Sequence, residues 1–153
     1  MKKSEMFGTP INTIKLALPS FSMNEGIARS VMASFCAYLG PTATDIADIK
    51  CAVSEAVTNC IVHAYKHCIG TIYITAEAFS NSIVKITVRD KGCGIADVKQ
   101  ARTPLFTTDA ESERSGLGFT VMESFMDKLS VRSKEGKGTT VIMWKQLGTI
   151  EKK

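Results

Sequence analysis

The chain has 153 residues, 44% of them hydrophobic and 22% charged, the make-up of a globular protein with one core and little length for a second. Its net charge of +4 is mild, and Lys and Arg are scattered among acids along the sequence, which argues against a direct nucleic-acid partner. Five cysteines form no CxxC pair, the N-terminus MKKSEMFGTP has no apolar stretch behind its lysines, and no apolar run approaches membrane-spanning length. Free thiols, a cytoplasmic location, no membrane contact and a single domain over residues 1–153, ordered from about 11 to 146, are the resulting expectations.

Residues 11–18 alternate, with Ile14, Leu16 and Leu18 on one face, and predict a half-buried strand. Ser22 or Asn24 can cap a helix reaching about Leu39, whose apolar side would be Ile27, Val31, Met32, Ala33, Phe35 and Leu39. Gly40-Pro41 stops it, and Thr42 or Thr44 caps the next. From Thr42 to His67 no Gly or Pro occurs, which predicts one uninterrupted helix ending near Gly70. Glu55 and Asn59 stack four residues apart on it, and Ala52 and His63 extend that stripe. Ile46, Ile49, Val53, Val57, Cys60 and Ile61 occupy other sectors and can face a core.

Two strands follow, 71–78 and 83–90, joined by a turn at Asn81-Ser82. The alternation breaks at Asp90-Lys91-Gly92-Cys93-Gly94, and residues 97–102 read as a short helix. Residues 103–115 have no period and the length of a functional lid. Ser115-Gly116-Leu117-Gly118 leads into a helix over 119–126, and strands at 129–133 and 139–145 flank a glycine-bearing turn. Hairpin-joined strands beside helices predict an α+β fold: a two-layer α/β sandwich, its sheet mixed but mainly antiparallel, with helices on one face.

Three strings carry chemistry. Asp90 closes a buried strand and needs a donor, which an adenine exocyclic amine with a bridging water would supply; Gly92 and Gly94 would let the backbone approach a purine. Alone, DKGCG reads better as an ordinary turn with a capping Asp, since DxGxG strings are common. Glycines at 116 and 118 expose N–H groups at a helix start, where the dipole favours an anion, although the same glycines serve a flexible loop end. Asn59 offers a neutral oxygen to a Mg²⁺ shell rich in phosphate oxygens, and Glu55 can accept a proton from an attacking hydroxyl; taken singly, such a pair is a solvated helix face. Arg114 could neutralise charge on a transferring phosphoryl group, or be a surface arginine. The absence of GxxxxGK[ST] excludes a P-loop, and two histidines without Cys/His spacing argue against zinc.

The order ExxxN, DxGxG, lid, GLGF, GT resembles the GHKL ATPase superfamily, with its N box, two glycine boxes and mobile lid around ATP-Mg²⁺ (the Bergerat ATP-binding fold). In SEAVTNCIVHAY, ARTPLFTTDAESERSGLGFTVMESFMD and GKGTT the likeness narrows to the bacterial anti-sigma factor serine kinases, particularly those of endospore formers that act on a sigma factor of the sigma F type, and it spans about residues 14–143. The resemblance implies Glu55 as catalytic base, Asn59 as Mg²⁺ ligand, and Asp90 as reader of adenine, with Gly92, Gly94 and Thr139 at that end. It implies that Arg114, with Ser115, Gly116, Leu117 and Gly118, holds the phosphates, and that Arg29, in ExxAR, contacts the sigma factor. It further implies ATP as substrate and ADP as product, a STAS-type anti-anti-sigma phosphoacceptor, and a homodimer. The Glu at position 55 favours transfer to serine, or attack by water, over histidine phosphorylation. A general-stress anti-sigma kinase, a nucleotide-gated sigma binder with little kinase activity and an ATPase driving its own conformational cycle are the alternatives. Two positions depart from the pattern. Ala64 replaces a Gly and adds only a methyl to a helix; Lys91 replaces an acid and is expected to project into solvent.

Overall fold

The computed structural model describes residues 7–103 and 118–148. Five strands, β1 (Asn12–Pro19), β2 (Thr71–Ala78), β3 (Ile83–Arg89), β4 (Lys128–Lys134) and β5 (Gly138–Gln146), form one sheet in the order β1-β2-β3-β5-β4. All four pairings are antiparallel, so the expected admixture of parallel pairing is absent among the described residues. The helices are α1 (Met23–Cys36), α2 (Ala43–Asn59), the short α3 (Val98–Ala101) and α4 (Gly118–Phe125).

Strand alternation divides the sheet. Ile72, Ile74 and Ala76 of β2, Val84, Ile86 and Val88 of β3, and Val141 and Met143 of β5 point inward and are buried. They meet Ala28 and Met32 of α1, Ile49, Val53 and Val57 of α2, and Met122 of α4 in one core. This is the two-layer α+β arrangement that the hairpin and helix pattern predicts.

Helix α1 turns a different face inward than its largest side chains suggest. Asn24, Ala28, Met32 and Cys36 form the buried i, i+4 stripe, and Ile27 is exposed. Ser22 occupies the N-cap position without a side-chain bond, while Asn24 donates its amide to the Pro19 carbonyl at 2.7 Å. A single 3₁₀ turn, Ala37–Leu39, ends at Gly40, whose φ of +70° only glycine adopts cheaply. Helix α2 opens with a capping box: Thr42 Oγ1 accepts from Asp45 N at 3.0 Å and Asp45 Oδ2 from Thr42 N at 2.9 Å.

The predicted single helix over 42–67 changes its pitch and stops at Ala64, three residues early. At Cys60–Ala64 the backbone widens into a π-turn, with Tyr65 N donating to Cys60 O at 2.9 Å. Ala52, placed by spacing on the polar stripe, is instead fully buried.

Candidate functional site

The π-turn and the loop after β3 interlock. His63 and Ala64 are the last residues of the helical run, so their carbonyls have no partner within it, and Cys93 takes both: its N–H donates to Ala64 O at 3.1 Å and its Sγ to His63 O at 3.2 Å. Tyr65 Oη accepts from Lys91 N and donates to Thr71 O, each at 2.7 Å. Burial pushes the Tyr65 hydroxyl up, more than the Lys91 N–H lowers it, and the nearby Asp90 adds to the rise. The phenol therefore stays protonated and keeps both bonds.

Within this frame lies Asp90, only 6% exposed. Its Oδ1 accepts from Gly92 N at 2.9 Å and Thr139 N at 3.2 Å, and its Oδ2 accepts from Cys60 Sγ at 3.5 Å. Burial, then the Asp90 charge, raise the Cys60 thiol well above its ordinary value, so it remains an S–H donor. Thr139 is held in turn by Ser133, their hydroxyls 2.8 Å apart.

The glycines of the loop have a different reason than ligand approach. A methyl on Gly92 would lie 2.3 Å from Ala64 O, and one on Gly94 would lie 2.1 Å from Lys134 O. Both are required by close protein backbone, and Gly94 also holds a φ of +73°. Gly138, at the start of β5, presses in the same way on the Asp90 carbonyl, 2.2 Å from an added methyl.

A cavity of about 430 Å³ opens beside Asp90. Asn59, Asp90, Gly94 and Thr139 line it, so four of the residues predicted from sequence for the nucleotide converge. Gly92 lies under its wall rather than on it. Lys91 is exposed and turned away, its Nζ 5.3 Å from the Tyr73 ring centroid, as its expected projection into solvent requires. Ala64 is accommodated, but in the π-turn rather than a regular helix.

Glu55 stands one turn before Asn59 and lines a neighbouring groove of about 710 Å³ between α1, α2 and α4, which also contains Arg29. Arg29 pairs with Glu25 at 3.4 Å, and Glu25 accepts from Ser54 Oγ. The groove and the cavity meet at Gly118. A methyl there would lie 3.3 Å from both Asn59 Oδ1 and Nδ2 and 3.5 Å from Glu55 Oε2. The start of α4 thus rests against the Glu/Asn pair, as a glycine-led helix start at the site requires. Arg114, Ser115, Gly116, Leu117 and most of the predicted lid lie outside the described residues.

Sequence reasoning missed Tyr65, read Cys60 only as core and His63 only as part of the stripe, and did not assign the apolar lining from Val88, Ile95, Phe119 and Val141. No sequence signal marked Tyr65, whose ring packs so close to Gly70 that a methyl there would fall 2.1 Å from it.

An antiparallel sheet with helices on one face, and an Asp-floored cavity closed by a helix bearing Glu and Asn, define an ATPase domain of the histidine kinase type. Residues 22–145 match the family described as the histidine kinase-like ATPase domain. An anti-sigma F factor from Caldanaerobacter subterraneus subsp. tengcongensis is 56% identical over 137 residues, 90% of this chain and 95% of that protein. The anti-sigma F factor of Bacillus subtilis is 47% identical over 137 residues, 89% and 93% of the two chains. Among solved structures, the RsbU and RsbW domains of Rv1364c from Mycobacterium tuberculosis share the fold, with a TM-score of 0.66 at 22% identity over 90% of this chain and 33% of that one. The histidine kinase domain of a blue-light activated kinase from Erythrobacter litoralis does so with a TM-score of 0.56 at 19% identity, over 95% and 69%. The chain belongs to the anti-sigma F factor family of histidine kinase-like ATPase domains.

Proposed function

We propose that the protein is a cytoplasmic anti-sigma factor of sporulation that binds and inhibits a sigma factor of the sigma F type. As an ATP-dependent protein serine kinase, it also phosphorylates and thereby inactivates a STAS-type anti-anti-sigma partner. The names of its relatives support the binding role, and the ATPase-type domain supports the nucleotide. One observation carries the kinase reading: Glu55 sits at the seam between the Asp90 cavity and a groove open to a macromolecule.

In this reading Asp90 Oδ2 accepts from the adenine amine, and Gly94 and Thr139 shape that end while Gly92 supports it from beneath. Asn59, through Oδ1, would hold Mg²⁺. Among the described residues no three His, Cys, Asp or Glu side chains converge on a metal site, so one amide oxygen completed by phosphate and water oxygens is the chemistry these residues fit. Bound there, Mg²⁺ would neutralise phosphate charge. The partner's serine Oγ attacks the γ-phosphorus, the bond to the ADP oxygen breaks, and Glu55 takes the hydroxyl proton. Arg114 and the segment Ser115, Gly116, Leu117 and Gly118 hold the phosphates.

Arg29, held by Glu25 on the groove wall, is the sigma contact in this scheme. The homodimer would form through β1 and α1, where Ile11, Phe21, Met23 and Ile27 are exposed beside an edge strand. None of the described helices is long and apolar enough to cross a membrane.

The test mixes the protein, ATP-Mg²⁺ and the anti-anti-sigma partner. Phosphoserine should form, and Glu55→Gln should lower its rate by about 10²-fold or more while ATP binding is kept. Unchanged transfer in that variant removes Glu55 from the mechanism. Failure of the wild type to transfer, with sigma binding retained, leaves the nucleotide-gated binder.

A further inference from the structure

The cations scattered along the sequence are gathered by strand alternation onto the outer face of the sheet, opposite the helices. Lys85, Arg89, Lys128, Arg132 and Lys134 all occupy outward positions, with Lys15 on β1 and Lys91 just beyond β3. The only acid in the outward strand rows is Glu77, paired with Lys85 at 3.4 Å. The surplus on this one face exceeds the +4 of the whole chain.

The register orders these residues into two ridges crossing the strands. Lys85, Trp144 and Lys128 are direct neighbours on β3, β5 and β4, with the two ammonium groups 6.0 and 5.2 Å from the Trp144 ring centroid. Four residues along, Tyr73, Arg89, Thr140 and Arg132 make the second ridge, with the Arg89 guanidinium 4.7 Å from the Tyr73 ring and Thr140 between the two arginines. Thr75, Thr87, Ile142 and Ser130 form a low floor between them. At ~3.3 Å per residue the ridges stand about 13 Å apart, and four strands at ~4.8 Å spacing make the trough about 14 Å long.

We propose that this face binds single-stranded nucleic acid, the strand running along the trough with phosphates on the cationic ridges and bases against Tyr73 and Trp144. A polyanion complements the charge, and aromatic rings interleaved with cations on an open sheet are what stacked bases need. A second copy of the face would meet its own charge. A lipid surface would want projecting apolar groups, whereas Ile142 is 8% exposed and both rings are half-buried among cations. The site is separate from the ATP cavity and independent of the kinase reading. It departs from the expectation of no nucleic-acid partner, which rested on linear order alone.

Trp144 is the single tryptophan and reports on the face directly. The full chain, saturated with ATP-Mg²⁺ to occupy the cavity, is titrated with a mixed-sequence single-stranded DNA of about 16 nucleotides. Trp144 emission should be quenched. With four or five phosphates neutralised, the log–log salt slope should be about −3, or roughly 60-fold weaker binding between about 50 and about 200 mM salt. The double variant Lys128→Glu/Arg132→Glu changes exposed side chains that make no hydrogen bond among the described residues. It should bind at least about tenfold more weakly with unaltered circular dichroism, whereas Lys50→Glu, on α2, should bind within about twofold of wild type. Salt-insensitive binding, an unaffected double variant, DNA binding seen without ATP-Mg²⁺ but lost in its presence, or no DNA binding, with or without a blue shift of Trp144 by phosphatidylglycerol vesicles, would each overturn the proposal.

Discussion

Asp90→Asn is the sharpest test of the base-reading end. The change is isosteric, and an amide oxygen in the Oδ1 position still accepts from Gly92 N and Thr139 N, bonds of 2.9 and 3.2 Å. The other oxygen becomes an NH₂ that faces the Cys60 thiol, now donor against donor, and would meet an adenine amine the same way. The fold should lose little, because two of the three bonds survive. The nucleotide should lose a hydrogen bond to a charged group, worth about 1.5–3 kcal/mol, or roughly 13- to 160-fold in ATP affinity. Calorimetric titration with ATP-Mg²⁺ reads the affinity, and thermal unfolding of the apo-protein reads the fold. ATP binding within twofold of wild type, in a variant of unchanged melting temperature, would refute the assignment of Asp90 to the base.

Two further outcomes follow from burial and charge. Cys36, raised to about 12 by burial, and Cys60, raised further by the Asp90 charge beside it, should be silent to Ellman's reagent in the native protein. Cys51, Cys68 and Cys93 should react, giving three thiols native and five in denaturant; a fast fourth thiol would contradict the packing of α1 or of the π-turn. At Asp45, burial pushes the carboxyl up, but the N–H groups of Gly148 and Thr42, the Thr42 hydroxyl and the Lys145 charge together hold it below its usual value. A depressed folded value means that its stabilisation is present above the unfolded value of about 3.9 and is lost as pH falls through the lower folded one. Asp45→Asn should therefore cost about 1–2 kcal/mol at neutral pH, and denaturant melts should show the gap from wild type closing as pH drops below about 4.

Much of the architecture is legible in the sequence because alternation and caps act locally. The strands at 71–78 and 83–89 follow from period-two patterning, and α2 starts where Thr42 and Asp45 can cap each other. Tertiary demands are what pattern reading does not see. Ile27 looks like core by size, yet it is Ala28 that lies between α1 and the buried side of α2, where a small residue permits close approach. No Gly or Pro marks the π-turn, since what holds it is remote: Cys93 bonds the carbonyls of His63 and Ala64 at its end, and Gly92 packs against Ala64. Gly92 and Gly94 were legible as sites of close approach, but what approaches is backbone of the same chain. The basic face was invisible for a related reason. Charges alternating with apolar residues look dispersed in one dimension and become contiguous only when four strands are set in register.

The π-turn also divides the site into two mechanical halves. On its C-terminal side every polar group near Asp90 is tied to another element: Tyr65 to β2 and the Lys91 backbone, Cys93 to the turn, Gly136 N to Cys93 O at 2.7 Å, and Thr139 to both Asp90 and Ser133. A base-reading carboxylate gains from such rigidity, since its geometry need not be assembled when ligand arrives. On the N-terminal side Glu55 and Asn59 stand on regular helix, touched by Gly118 at the first turn of α4 and open to a groove. A displacement of α4 alters the surroundings of this pair at Gly118 and the wall of the base cavity at Phe119. The three hydrogen bonds that hold Asp90 come from Cys60, Gly92 and Thr139 and none from α4, so a change at α4 can alter what the groove presents while those bonds stay in place, as a nucleotide-controlled binding surface requires.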